Sequence, residues 1–386
     1  MLRLVPTRPT LLNAAIPHPT PTAWLLRIAK VYEALVPELL QPLQLKSHTR
    51  LGSEYHLVTG ATVAQLDQPA IARFLRWKLP LHHSWPCCPR TMDQFVEKAA
   101  QTLARKFGAT APQTLLIGLL DPSSRDSYYK KLASNLRGRT LQLFPPLTAT
   151  SAEAQDATSP TLFCLVGQEG LFCGIDSPRH CNGFYPGGTK FIPQNSANTI
   201  SRAGAKIAEA LHYLRLHHPL PPAGAHWLEL GASPGGMTAE LLAKGYRVTA
   251  IDRAPLDPRL DYSADLTFVR SDAARFNPAA STRFDAILCD LNGEPRDSIE
   301  QVIRLAAQLV SGGLVIFTLK TTGATTLPHL QRLADSVTAL AATGGLLLLA
   351  QTHLTYNRHE FTLFFRKRET AEQPAVDFFP AGFSTC

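Results

Sequence analysis

From about residue 200 onward, short apolar runs alternate with longer amphipathic ones, and this alternation constrains the fold more than any other feature. The helical pattern "SRAGAKIAEALHYL" precedes the run "HWLELGA". Helix "GGMTAELLAKG" follows, then runs "RVTAID", "LTFVRSD" and "FDAILCDLN", and helix "SIEQVIRLAAQLV". Run "GLVIFTLK", helix "LPHLQRLADSVTALAAT" and runs "LLLLAQTHL" and "EFTLFFRK" complete the series. Strands separated by helices of this length predict parallel pairing through helical crossovers in an open, doubly wound sheet. The last two runs are adjacent without a helix, which predicts that one of them is antiparallel. The expectation for residues 196–368 is an α/β, Rossmann-like domain with a seven-stranded, mostly parallel sheet.

At 386 residues the chain is too long for one core and suits two or three domains. In residues 1–80 the helical pattern "WLLRIAKVYEALVPELL", the strand-like "EYHLVTG" and a second helix near "PAIARFLRWKL" predict an N-terminal arm and a small, ferredoxin-like α/β module. The arm is basic and free of acids through its first 32 residues, as in a mitochondrial presequence. However, Pro6, Pro9, Pro17, Pro19 and Pro21 break the helix such a signal needs. "HHSWPCCPR" reads as a linker. Residues 81–195 hold helix "MDQFVEKAAQTLARKF", strand "TLLIGLL", a basic segment "YYKKLASNLRGR" and strand "TLQLF". A polar stretch, "LTATSAEAQDATSP", reads as a mobile surface loop, and "TLFCLVG" and "GLFCGID" as a hairpin. The tail 369–386 is expected to be disordered.

Lys and Arg number 38 against 30 acids, a formal charge of +8, which favours a polyanionic partner such as RNA. No apolar run is long enough to span a bilayer. The seven cysteines include no C-x-x-C pair, so they read as reduced thiols of a cytoplasmic protein with no metal site.

Where the first of the regular strands turns into a helix, "LELGASPGGMT" carries Gly231, Ser233, Pro234, Gly235, Gly236 and Met237. It lacks the middle glycine of the dinucleotide fingerprint that admits a pyrophosphate, so a nucleoside without phosphates fits better. S-adenosylmethionine is the common one. Glu229 would meet its amino group, Asp252 its ribose hydroxyls and Asp272 its adenine amino group. Three acids at successive strand ends lie on the rim where such sheets bind ligands, which outweighs the alternative of helix caps.

The run "GLVIFTLK" ends in Lys320, although burying an ammonium costs several kcal/mol unless a partner compensates it. Asp290 ends the fourth strand, Glu360 opens the last, and Lys206 lies on the helix before the cofactor strand. Set on one rim, these four charges would leave none unpaired.

The order Lys206, Asp290, Lys320, Glu360 resembles the K-D-K-E tetrad of the FtsJ-type ribose 2′-O-methyltransferases. The strings "SRAGAKIAEA", "ELGASPGGMT", "CDLNGE", "FTLKTT" and "NRHEFTLFF" most resemble the bacterial 23S ribosomal RNA 2′-O-methyltransferases that carry an N-terminal THUMP domain. The resemblance covers residues 197–368 and extends more faintly to "GFYPGGTKFIP". The chain departs from the family's loop at Ser233 and Met237, where Cys and Trp are usual, at Glu229, where Asp is usual, and in "LNGEP" after Asp290. The resemblance implies a class I S-adenosylmethionine-dependent enzyme acting on ribosomal RNA, with a THUMP-like RNA-binding module in residues 81–195. It also implies that Lys320 is the general base, with Asp290 orienting it beside the transferring methyl and Glu360 holding Lys206 or Lys320. A lysine accepts a proton only when neutral, so burial and the neighbouring Lys206 are expected to lower its pKa.

Lys130, Lys131, Arg137 and Arg139 lie in one segment with Tyr128 and Tyr129, a candidate RNA patch or a solvated helix face. Arg202, ahead of Lys206, is a further candidate for substrate phosphate. Two other functions suit the same sequence: a 2′-O-methyltransferase of another RNA, and an RNA-binding assembly factor that keeps the cofactor fold without turnover.

Overall fold

The computed structural model describes residues 21, 23–87, 90–120, 127–149, 151–194, 199–261 and 263–369. The expected N-terminal arm, apart from Pro21, and the expected tail beyond Glu369 lie outside the described residues, as does Cys88 of the expected linker.

The first module runs β1 (Ala23–Ile28), α1 (Val36–Leu40), β2 (Ser47–Leu51), β3 (Tyr55–Thr59), α2 (Val63–Leu66), α3 (Pro69–Ala72) and β4 (Leu75–Pro80). Its four-stranded sheet has the order β2-β3-β1-β4 with every pair antiparallel. Two sequence expectations are corrected here. "WLLRI" is strand rather than helix, and the helix near "PAIARFLRWKL" stops at Ala72 before the chain extends again as β4. Both strands are buried almost throughout, so neither shows the period-two alternation that marks a half-exposed strand.

The second module comprises β5 (His83–Trp85), α4 (Met92–Phe107), β6 (Thr114–Leu119), α5 (Ser127–Leu143), β7 (Thr161–Gly167) and β8 (Gly170–Asp176). Its sheet order is β5-β8-β7-β6; β6 runs parallel to β7, and the β7–β8 hairpin and β5 are antiparallel. "HSW" is therefore an edge strand and not linker. The expected strand "TLQLF" forms the end of α5, where the Thr140 hydroxyl donates back to Leu136 O at 2.6 Å. The polar stretch before β7 is packed: Gln155 is buried, donates to Phe184 O at 2.6 Å and accepts from Thr161 at 2.8 Å.

The third part follows a short α6 (Pro178–Cys181) and comprises α7 (Ala203–Leu214), β9 (His226–Leu230), α8 (Gly236–Ala243), β10 (Arg247–Asp252), β11 (Leu266–Arg270) and β12 (Phe284–Cys289). It continues through α9 (Pro295–Leu305), β13 (Leu309–Lys320), α10 (Leu327–Thr343), β14 (Leu346–Thr352) and β15 (Glu360–Lys367). The seven strands lie in the order β11-β10-β9-β12-β13-β15-β14, with β15 antiparallel to both neighbours and the rest parallel. The strand order reverses between β9 and β12, so the crevice beyond their carboxyl ends is where such a sheet holds a ligand.

The first module packs directly on this sheet and shares its core. Tyr32 stacks on Phe361 with ring centroids 5.5 Å apart, and Phe74 meets the same ring edge-on at 5.3 Å. Arg73, buried, donates to Asp335 at 2.5 Å and to Gln331 O at 3.2 Å on α10.

Candidate active site

The loop after β9 is bound to both neighbouring strands. Gly231 and Ala232 donate to Ile251 O at 3.0 and 3.2 Å, and Asp290 N donates to Leu230 O at 3.0 Å. Gly231 has φ +82°, and a Cβ there would lie 2.8 Å from Asp290 O, so only glycine allows this crossing. The N-terminal end of α7 presses onto the same loop: a Cβ at Gly204 would come 2.8 Å from Gly236 O, and one at Gly236 would strike Ser201. This close approach of α7 delivers Lys206 to the rim.

Lys320 Nζ donates to Asp290 Oδ1 at 2.5 Å and to Glu360 Oε2 at 2.8 Å. Lys206 Nζ pairs with the other Glu360 oxygen and lies 3.8 Å from Asp290 Oδ2. The structure thus brings all four residues into one network in which each cation meets both anions. The question raised by a buried strand ending in lysine is answered by compensation: the Lys320 side chain is only 16% exposed, and its two carboxylate partners replace the lost water.

One electrostatic expectation is corrected. Burial does lower the Lys320 pKa, but the Asp290 charge and the hydrogen bonds Lys320 donates to Asp290 and Glu360 outweigh it, and the net shift is upward. Lys206 lies on the far side of the shared carboxylate, too well compensated to drive a proton off Lys320. Burial likewise pushes Glu360 up, but its bonds to Lys206 and Lys320 win, holding it below the usual carboxylate range. The two carboxylates thus favour the charged form of the Lys320 ammonium.

Asp290 is also part of a cleft of about 300 Å³, together with Gly231, Ser233, Asp252 and Asp272. Asp252 accepts from Ser233 N and Ala254 N, each at 2.9 Å, so it holds the loop as well as facing the cleft. Asp272 accepts from Ala274 N at 2.9 Å. The remaining loop residues do not line the cleft as the sequence suggested. Pro234 is exposed, whereas Gly235, Gly236 and Met237 are buried beneath the loop, Met237 within the hydrophobic core. The reason is the contact of α7 with the start of α8, which leaves no opening there.

Glu229 is 1% exposed; its Oε2 accepts from the Thr238 hydroxyl at 2.7 Å, and its Oε1 has no hydrogen-bond partner among the described residues. Burial, aided by the charges of Asp290 and Asp252, pushes its pKa up to about 8 despite the Thr238 bond.

Sequence reasoning missed Glu294 and Asp297, which add two acids to the cleft from the start of α9. It also missed Glu209, buried on α7 one turn beyond Lys206. Glu209 takes the Thr355 hydroxyl and Tyr356 N, the latter at 3.1 Å, in the loop leading to Glu360. Arg76 of β4 reaches within 4.0 Å of it. An acid on the apolar stripe of "GAKIAEALHYL" was the available signal.

The candidate RNA patch is divided. On α5, Arg139 lies on the opposite face from Lys130, and it donates to both oxygens of Glu97 on α4 at 2.6 and 3.1 Å. That bidentate pair takes Arg139 out of the patch. Lys130 and Lys131 are exposed, Arg137 is half-buried about two turns along the same face from Lys130, and Arg202 is exposed at the start of α7.

The cleft's chemistry selects its ligand. Asp252, Asp272, Asp290, Glu294 and Asp297 face it against one guanidinium, Arg253, so a polyphosphate would be repelled. A nucleoside that carries a sulfonium and an ammonium suits this donor set; Glu229, fully buried, is not among the residues that line the cleft. Fold and site together define a Rossmann-like methyltransferase whose cofactor is S-adenosylmethionine.

Residues 199–350 match the model of the FtsJ-like methyltransferase family. The "Ribosomal RNA large subunit methyltransferase M" of Halorhodospira halophila is 34% identical over 251 residues, spanning 64% of this chain and 68% of that protein. Its namesake in Shewanella frigidimarina is 26% identical over 251 residues, 61% of this chain and 66% of that one. A third, from Aromatoleum aromaticum, is 29% identical over 177 residues, 44% of this chain and 46% of its own length. The chain belongs to the FtsJ-like methyltransferases, in the family of these proteins.

Proposed function

We propose that this protein is a cytoplasmic enzyme that methylates a ribose 2′-hydroxyl of the large-subunit, 23S ribosomal RNA. Lys206, Asp290, Lys320 and Glu360 would be its catalytic machinery, and the preceding modules would capture the RNA. The β-α-β-β-α-β order of the first module suits a ferredoxin-like unit, and the α/β unit that follows, with Lys130, Lys131 and Arg137 on α5, suits a THUMP-like one.

The observation that carries the reading is the position of the Lys320 ammonium: bonded to Asp290, a residue that also lines the cofactor cleft. When bound, S-adenosylmethionine supplies a methyl group already activated by its sulfonium. The protein's task is then to aim the ribose oxygen and remove its proton. Asp290 and Glu360 fix the Lys320 nitrogen between them, and Lys206 satisfies the remaining Glu360 oxygen so that this carboxylate cannot swing away. The proton must leave Lys320 before it accepts the one on the 2′-hydroxyl. The two carboxylates that hold it on therefore set how much base is available at a given pH. Asp252 and Asp272, which line the cleft, would serve the cofactor's ribose and adenine edges, and Glu229 would serve its ammonium.

Ribosomal RNA from cells lacking the protein is the substrate for the test, with incorporated methyl groups mapped as ribose positions resistant to alkaline cleavage. Wild type should modify large-subunit RNA, while Lys320→Ala and Asp290→Ala bind the cofactor and transfer nothing. Near wild-type turnover in either variant ends the mechanism.

A further inference from the structure

Phe191 is the most exposed of the large apolar side chains among the described residues, at 81% where Val31 follows at 40%. It does not sit on a loose segment. The Tyr356 phenol grips the next residue from both sides, accepting from Ile192 N at 2.7 Å and donating to Ile192 O at 3.1 Å. Two residues before it, the Thr189 hydroxyl accepts from Arg27 at 2.5 Å. The backbone is anchored on both sides of a ring left in water, an arrangement that suits a ligand better than it suits folding.

The anchor also ties this segment to the loop that leads to Glu360. Tyr356 lies in the loop between β14 and β15, four residues before Glu360, a chain span of at most about 14 Å. Arg358 and His359 of the same loop are exposed, and so is Arg202, four residues before Lys206. Neither Arg202 nor Arg358 joins an ion pair among the described residues. An exposed aromatic ring and two uncommitted cations thus lie on segments that adjoin the tetrad residues along the chain or through the Tyr356 anchor.

We infer that Phe191 stacks on a nucleobase next to the nucleotide whose ribose enters the tetrad, with Arg202 and Arg358 on the flanking phosphates. The inference rests on the reading of the substrate as RNA. A bare aromatic face takes a base that is already unpaired or splayed, so the target lies in a loop, bulge or opened strand rather than in continuous duplex.

The test uses the full chain with ribosomal RNA from cells lacking it. Phe191→Ala should raise Kd and KM for RNA about 5- to 150-fold, the range for losing one stacked base. Its kcat at saturating RNA and its cofactor affinity by calorimetry should hold, and Phe191→Trp should restore RNA binding. Removing a stack leaves the slope of log Kd against log salt unchanged, whereas Arg358→Ala should flatten it by about 0.7. Wild-type Kd and KM in Phe191→Ala overturn the inference, as does a loss matched by an equal loss of cofactor affinity, which marks a packing role. If wild type itself methylates no ribosomal RNA, the substrate reading fails and this inference fails with it. An active wild type beside an indifferent Phe191→Ala overturns this inference alone.

Discussion

Lys320 and Glu360 are direct register partners across the antiparallel strands β13 and β15, and the Lys320 ammonium donates to Glu360 Oε2 at 2.8 Å. Strand pairing, rather than loop conformation, therefore sets their separation. β15 has to run antiparallel for its first residue to arrive at the rim where the parallel strands end, so the sheet's one reversed strand is what completes the quartet. The same pairing holds the proton on Lys320, which makes the site's pH response a direct readout of the geometry.

Because the Lys320 pKa lies above its ordinary value of 10.5, the neutral amine is scarce at neutral pH. A rate that needs it climbs about tenfold per pH unit across that range. Replacing Glu360 with Gln removes one of the groups that raise the pKa. The ascending limb of log kcat against pH should then move to lower pH, even though the rate itself falls. A limb fixed at the wild-type position would remove Lys320 as the titrating base.

Glu229 makes the opposite contribution. Its carboxyl ionises near 4.5 in the unfolded chain but near 8 when folded, so between those values folding must take up a proton. Its stabilising effect is complete below 4.5 and is lost as pH rises toward 8. Glu229→Gln, neutral at every pH, should therefore flatten the decline, gaining on the order of 3–5 kcal/mol over wild type at pH 8. At pH 8 and above, where the wild-type carboxyl carries charge, the same variant should bind S-adenosylmethionine more weakly, since the amide offers the ammonium none. Thermal melts across pH 5 to 8 and calorimetry check both halves; a variant less stable than wild type at pH 8 contradicts the first.

Gly231→Ala tests the crossing beneath the cofactor loop. Its φ of +82° costs a side-chain-bearing residue about 1–2 kcal/mol, and the added Cβ would press on Asp290 O at 2.8 Å. Relief requires the loop to move away from β12, which shifts Asp290 relative to Lys320. A lowered melting temperature together with weaker cofactor binding is expected. Unchanged affinity would mean that the loop does not shape the cleft.

The catalytic sheet was legible in the sequence because each of its strands is bracketed by a helix or a turn, and "RVTAID" coincides with β10 as Arg247–Asp252. Asp290, Lys320 and Glu360 were legible because each ends or opens an apolar run, whereas Lys206, inside α7, was legible only through the string around it. The first module was misread because β1 and β4 are buried on both faces and run straight into or out of short helical turns, so no period separates strand from helix. The direction of the Lys320 shift was not legible either. It depends on whether two carboxylates approach within hydrogen-bond distance, which a sequence pattern does not contain.

Arg76 and Glu209 connect the first module to the active site, and their pairing can be tested as a unit. Arg76 is buried, with Nε and Nη2 lacking hydrogen-bond partners among the described residues, and burial together with the Arg27 charge pushes its pKa down to about 10. Burial raises that of Glu209, even with Arg76 only 4.0 Å away. Both groups thus bear a desolvation cost that each partly offsets for the other. Removing one leaves the other charge buried alone, which typically costs about 3–5 kcal/mol, while replacing both with neutral groups costs far less. Glu209→Ala should accordingly lower unfolding stability by roughly that amount, and Arg76→Met combined with Glu209→Gln should recover most of it in denaturant titrations. The amide keeps an acceptor for Tyr356 N and Thr355, so the double variant should also keep the loop before Glu360 in place and retain kcat, whereas Glu209→Ala loses it. Strictly additive stability changes would show that the two residues do not act together, and full kcat in Glu209→Ala would show that the loop needs no hold from α7.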